Sequence, residues 1–119
     1  MATNKLSQLV LKLIKDTDAG ILEWQPTVDE DETFQVVFPS YTIKIWQHRS
    51  DTIVGIYNER GILIESVSSQ LLDSEETPID TPNFRIGMDS MYSKARRVAL
   101  GADGAIDSLL SELEKLERK

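Results

Sequence analysis

The fold of this chain is decided by the stretch from Pro82 to Leu116, and the densest part of that stretch covers residues 92–103. This part reads Tyr92-Ser93-Lys94-Ala95-Arg96-Arg97-Val98-Ala99-Leu100-Gly101-Ala102-Asp103. Apolar residues recur at helical spacing on both sides of it, which predicts a helical region. The two stripes keep phase through Ala102, so one continuous helix is an alternative. Gly101, Gly104 and a capping residue, Asp103, favour two helices with a break.

The two C-terminal helices each carry their own apolar stripe. The first stripe consists of Phe84, Met88, Met91 or Tyr92, Ala95, Val98 and Ala99. The second consists of Ile106, Leu109, Leu110, Leu113 and Leu116. Thr81 followed by Pro82 is typical of a helix start, although a start at Asp89 or Ser90 would leave Gly87 outside the helix.

The N-terminal region predicts another amphipathic helix. Its apolar face consists of Leu6, Leu9, Val10, Leu13 and Ile14. Thr3 or Asn4 can cap the first turn, and Gly20 can adopt the left-handed conformation that ends the helix.

After Gly20 the apolar period changes to two, which predicts a sheet. The predicted strands are Ile21–Gln25, Thr33–Phe38, Tyr41–His48, Thr52–Tyr57 and Gly61–Val67. Short turns between them indicate an antiparallel meander. The sequence therefore predicts one α+β domain over residues 1–119. It comprises an N-terminal helix, a four- to five-stranded antiparallel β-meander and two C-terminal helices packed on one sheet face.

Composition excludes several classes of function. The 119 residues have a net charge of −7 and contain no cysteine. An acidic chain repels phosphate backbones, so we expect no nucleic-acid partner. We also expect no membrane association, because no apolar run is long enough to span a bilayer. The lack of cysteine and of a signal peptide predicts a cytoplasmic location.

No pattern in the sequence requires a particular chemistry. His48 is the sole histidine and ends a predicted strand, so a surface role is favoured over a catalytic triad. The acidic run from Asp29 to Glu32 is typical of a solvated loop and lacks the spacing of a calcium site. The glycines lack the spacing of a phosphate loop. We therefore predict no catalytic, cofactor-binding or metal-binding residue, and an enzyme is disfavoured.

Two surfaces are candidates for interaction. One is a mixed face of the sheet, on the side away from the helices, if the strand register allows it; its residues are Trp46, Val54, Ile56, Leu63 and Val67. Ordinary surface apolarity, or cover by the loop after the sheet, is the alternative. The other is the Arg96-Arg97 pair, of which one arginine could bind an acidic partner or phosphate while the other faces solvent. Pairing of an arginine with a carboxylate of the same chain, for example in the acidic segment 73–80, is the competing interpretation.

Two motifs carry a family resemblance. One is Thr17-Asp18-Ala19-Gly20-Ile21-Leu22-Glu23-Trp24 after the leucine-rich first helix. The other is Tyr92…Ala95-Arg96-Arg97…Ala99-Leu100-Gly101…Asp103…Ala105-Ile106-Asp107…Leu109-Leu110. Together they resemble a family of small bacterial domains without an assigned activity, across nearly the whole chain. The resemblance implies a helix, a β-meander and C-terminal helices, and a bacterial interaction or regulatory role.

The leading functional hypothesis is a non-enzymatic, cytosolic bacterial module for protein–protein interaction or regulation. Its partner is an unidentified protein or a second copy in a homodimer, bound through the mixed sheet face or the C-terminal helix. The alternative is a small-molecule-binding or catalytic domain. That alternative requires a pocket between helices and sheet, lined by Trp24, Tyr57 and Tyr92.

Overall fold

The computed structural model describes residues 5–28, 30, 32–69 and 84–118. In chain order the elements are α1 (Lys5–Asp18), β1 (Gln25–Pro26), β2 (Phe34–Val37), β3 (Tyr41–His48), β4 (Asp51–Asn58), β5 (Leu63–Ser68), α2 (Phe84–Ala99) and α3 (Ala102–Glu117). The strands form one antiparallel sheet in the order β1-β2-β3-β4-β5. The predicted α+β class and the β-meander are therefore confirmed.

Helix α1 ends as the sequence predicted. Gly20 has a φ of 74°, and the backbone N–H of Ile21 donates to the carbonyl of Asp16 at 3.0 Å. These bonds make Ile21 part of the helix terminus, and its side chain is 65% exposed. The predicted first strand is wrong for this reason, since β1 contains only Gln25 and Pro26. The predicted caps at both helix starts, in residues 3–4 and 81–82, lie outside the described residues.

The tight turns of the meander are built by side-chain acceptors and left-handed residues. Asn58 Oδ1 accepts hydrogen bonds from the backbone N–H groups of Arg60 and Ile62, at 2.9 and 3.0 Å. Gly61 follows with a φ of 80°, a conformation that glycine adopts without a steric penalty. This turn joins β4 to β5.

The core lies between the sheet and the pair of helices α1 and α2. Antiparallel pairing sets Ile45 beside Val54, and both are buried on the helix side of the sheet. The buried apolar residues are Val10, Leu13, Trp24, Phe34, Val36, Ile43, Ile45, Val54, Val67, Met88, Met91, Tyr92 and Ala95. Burial of these side chains is the largest favourable contribution to folding.

Buried polar groups fix the positions of both helices. The indole N–H of Trp24 donates to Thr17 Oγ1 on α1 at 3.1 Å. The Thr52 hydroxyl of β4 donates to Asp89 Oδ1 on α2 at 2.5 Å. Among the described residues, every buried side-chain nitrogen or oxygen has a hydrogen-bond partner. The core thus avoids the cost of unsatisfied polar groups, about 1–3 kcal/mol each.

The C-terminal helical region is broken at Gly101, as the sequence favoured. Gly101 has a φ of 66°, between the end of α2 and the start of α3. Asp103 does not cap α3; its carboxylate accepts a hydrogen bond from Arg97 instead. The predicted packing on the sheet face is correct for α2 and wrong for α3. Because α2 already contacts β1, β2 and β4, α3 has α2 as its main contact and buries no residue.

Candidate interaction surfaces

Helix α3 presents an uncovered apolar stripe. Its five members are each 46–64% exposed: Ile106, Leu109, Leu110, Leu113 and Leu116. A helix of 16 residues is about 24 Å long, so the stripe forms a continuous ridge rather than scattered apolar spots. Ile106, Leu109, Leu113 and Leu116 follow a three–four spacing, which is the pattern of a helix that pairs with another helix.

Charge on α3 is distributed unevenly around this stripe. Helical spacing places Glu112 and Glu117 directly beside the apolar seam, one on each side. Lys115 and Arg118 fall on the far side of the helix. The sequence predicted packing of this helix on the sheet face, with Glu112 pairing with Lys115 and Glu114 with Arg118, and it indicated the C-terminal helix as one possible binding element. The acidic residues at the heptad positions beside the stripe are the feature of the sequence that could have predicted these charged borders.

The side of the sheet away from the helices carries a smaller aromatic cluster. The Trp46 ring lies so close over Gly55 that a Cβ there would be 2.9 Å from two of its ring carbons. Lys44 Nζ lies 4.6 Å from the centre of the Tyr57 ring, and it forms an ion pair with Glu30 at 3.8 Å. Burial raises the pKa of Tyr57, and the negative charge of Glu30 raises it further.

The mixed sheet face predicted from sequence does not exist as one surface. Val54 is 1% exposed and Val67 is 2% exposed, and both belong to the core. Ile56 packs against that core from the same side. Trp46 is half-buried on the opposite face, and Leu63 is 47% exposed on the edge strand β5. The prediction is wrong because the register pairs Val54 with Ile45 rather than placing it beside Trp46.

Both arginines of the predicted basic pair bind carboxylates of their own chain. Arg96 Nε lies 3.3 Å from Glu32 Oε2, and Arg97 Nη2 lies 2.6 Å from Asp103 Oδ1. Own-chain pairing is therefore confirmed, but with Glu32 and Asp103. The acidic segment 73–80, which the sequence had suggested as the partner, lies outside the described residues.

Glu32 is also the contact point between the β1–β2 loop and α2. It has a φ of 61°, and its backbone carbonyl accepts a 2.6 Å hydrogen bond from the Tyr92 hydroxyl. Burial raises the pKa of Tyr92, with a further rise from the Glu32 carboxylate, while Arg96 lowers it. The Arg96 and Tyr92 contacts hold this loop to the fold. They explain the position of Arg96 without a bound ligand.

The proposed pocket of aromatic residues is not formed. Trp24 and Tyr92 are buried on the helix side, whereas Tyr57 lies on the opposite face of the sheet beside Trp46. A groove of about 290 Å³ does lie at the corner between α2 and α3. Its cations Lys94 and Arg97 are bound to Asp18 and Asp103, so its charges are already neutralised within the chain.

His48 and the acidic residues are the other candidates for a catalytic or metal site. His48 is exposed at the end of β3. In residues 5–28, 30, 32–69 and 84–118, no three histidine, aspartate or glutamate side chains lie close enough to hold a metal ion. The described helices include none that is long and apolar enough to cross a membrane.

Comparison of the chain with protein-family models, with curated proteins and with solved structures gave no match. The assignment of a function therefore depends on the surfaces described above.

Proposed function

We propose that this protein is a non-enzymatic module for protein–protein interaction, and that α3 is its binding element. The observation that carries the proposal is the exposed stripe from Ile106 to Leu116. Contiguous exposed apolar surface on a folded chain marks a site of interaction, because leaving it in water is unfavourable. An isolated helix of 16 residues is also marginally stable in water, and a partner would stabilise it.

The mode of binding that fits this surface is helix pairing. A helical partner with its own apolar stripe would pack side chains between those of α3, as in a coiled coil or in helix-in-groove recognition. The body of the protein, with its core between sheet and helices, then serves as the anchor that presents α3. The resemblance of two sequence motifs to small bacterial domains and the lack of cysteine support a cytoplasmic, bacterial interaction or regulatory module.

Site-specific photo-crosslinking in cells tests the proposal. A photoreactive phenylalanine analogue replacing Leu109 lies in the stripe, and the same analogue replacing Ser111 lies on the far side of α3. We expect a defined crosslinked product with another polypeptide from position 109 and much less product from position 111. Equal labelling from both positions, or no product from position 109, would contradict the proposal.

A homodimer is one assembly of this class. Light scattering across a dilution series detects it as a mass that rises with concentration. If Leu109→Gln and Leu113→Gln together abolish that rise, the second copy binds through α3.

A further inference from the structure

We propose that α3 binds an amphipathic helix whose apolar stripe is bordered by lysine or arginine, and this inference rests on the proposed function. It identifies the chemistry of the partner from the charge beside the stripe. Across Ala102–Glu117 there are five carboxylates and a single lysine. The partner must therefore be complementary to an acidic helix.

The two carboxylates that would contact the partner are Glu112 and Glu117. In a heptad with Ile106, Leu109, Leu113 and Leu116 at the seam, they occupy the positions on either side of the contact. Side chains at these positions face the borders of a paired helix and determine which partner is accepted. Asp103 lies nearer the helix start and is already bound to Arg97. Basic residues on the partner would meet Glu112 and Glu117 as the apolar stripes pack.

A second copy of the chain is a poor occupant on the same grounds. If two α3 helices paired in parallel, Glu112 of one copy would face Glu117 of the other. In the antiparallel arrangement that sets Leu109 against Leu113, the two Glu112 side chains would face each other. Both arrangements bring like charges together across the seam, which is destabilising.

Charge also disfavours two other occupants. Residues 70–83 of the same chain contain Asp73, Glu75, Glu76 and Asp80 and no lysine or arginine. An anionic membrane surface attracts helices with basic borders and repels this one. A basic amphipathic helix combines an apolar stripe with the required charge, so it is the occupant that the surface favours.

Two synthetic peptides test the inference against the full chain. Both have about three heptads with leucine at the seam positions. One has lysine at both flanking positions of each heptad, and the other has glutamate there. By calorimetry at low ionic strength, we expect the lysine peptide to bind at least about tenfold more tightly than the glutamate peptide. Added salt should reduce this preference.

Charge-reversed variants of the protein assign the preference to particular residues. The double variant Glu112→Lys with Glu117→Lys should invert the order and bind the glutamate peptide more tightly. The matched control, Asp107→Lys with Glu114→Lys, makes the same change in net charge at positions that face away from the seam. It should retain the preference for the lysine peptide.

The outcomes separate this inference from the proposed function. Failure of the lysine peptide to bind, or equal binding of the two peptides, overturns the basic-partner inference. A dimer that requires Leu109 and Leu113 also overturns it, but leaves α3 as an interaction element. Binding to anionic vesicles in preference to the lysine peptide overturns it in favour of a lipid surface. Loss of the crosslink at position 109 would instead remove the proposed function itself.

Discussion

Helices α2 and α3 have the same length, 16 residues, and both carry an apolar stripe at helical spacing. In α2 the stripe includes Met88, Met91 and Ala95, which are at most 1% exposed. In α3 every member of the stripe is 46–64% exposed. The two sequence patterns are alike, but the stripe of α2 packs against α1 and the sheet, whereas no element of the described chain covers the stripe of α3. An amphipathic helix requires cover, and the rest of the fold decides whether its own chain supplies it.

The largest test of this contrast is truncation of one leucine-sized side chain in each helix. Met88→Ala in α2 should lower the free energy of unfolding by about 2–5 kcal/mol, because it leaves a cavity in the core. Leu113→Ala in α3 should change it by no more than about 0.5 kcal/mol. Urea unfolding of both variants measures the difference. A large loss from Leu113→Ala would show that α3 is covered within the monomer.

Enlarging a small residue gives a second, somewhat smaller contrast. Ala95 is fully buried in α2, so Ala95→Leu should cost about 1–3 kcal/mol through overpacking. Ala105 is exposed in α3, so Ala105→Leu should stay within about 0.5 kcal/mol of the parent. Thermal unfolding checks both. If the two variants lose equal stability, the comparison between the helices fails.

The two glycines at the start of α3 should respond in opposite directions. Gly101→Ala forces a Cβ into a φ of 66° and should cost about 1 kcal/mol. Gly104 lies inside α3, with open space where a Cβ would be, so Gly104→Ala should stabilise the helix by about 1 kcal/mol. Amide hydrogen exchange in α3 resolves this gain, which global unfolding would largely miss. Slower exchange after Gly101→Ala would contradict the assigned break.

The smallest expected effect is the dependence of stability on the ionisation of Tyr92 in α2 at high pH. Helix α3 contains no tyrosine and so has no equivalent group. The raised pKa means that the folded protein keeps the hydroxyl proton to higher pH than the unfolded chain does. Titration of the Tyr92 hydroxyl therefore does not change the free energy of unfolding below about pH 10. It lowers the free energy of unfolding as the pH rises from there through the folded-state pKa. Tyr92→Phe should therefore lose less stability than the parent between neutral and strongly alkaline pH in urea titrations. Parallel losses would show that Tyr92 does not contribute.

Regular alternation made most of the fold predictable. Strand β3 has the predicted bounds, Tyr41–His48, and its centre alternates as predicted, with Ile43 and Ile45 buried between partly buried neighbours. The sequence also predicted the left-handed conformation of Gly20, since few other residues adopt it, and it favoured the helix break at Gly101. The apolar residues around Ile21 did not predict the first strand correctly, because the backbone N–H of Ile21 bonds to the carbonyl of Asp16 at the end of α1.

The interaction surface was less predictable than the fold. The face of a strand depends on register, and Thr52 is drawn inward by Asp89, which sets Val54 inward two residues later. For α3, the periodicity identified the stripe but not its exposure. Exposure follows from the packing of α3 mainly on α2, beyond the break at Gly101, and helical periodicity carries no information on that packing.

The fluorescence of the two tryptophans can report on the two sides of the sheet. Trp24 lies in the core with its indole bound to Thr17, and Trp46 lies on the opposite side of the sheet, stacked on Gly55. Helix α3 has no aromatic residue. Intrinsic fluorescence should therefore report the packing of each side of the sheet separately, in variants with one tryptophan replaced by phenylalanine. Occupation of α3 by an aromatic-free peptide should leave both emission spectra unchanged, so a spectral shift would reveal a response transmitted to the body.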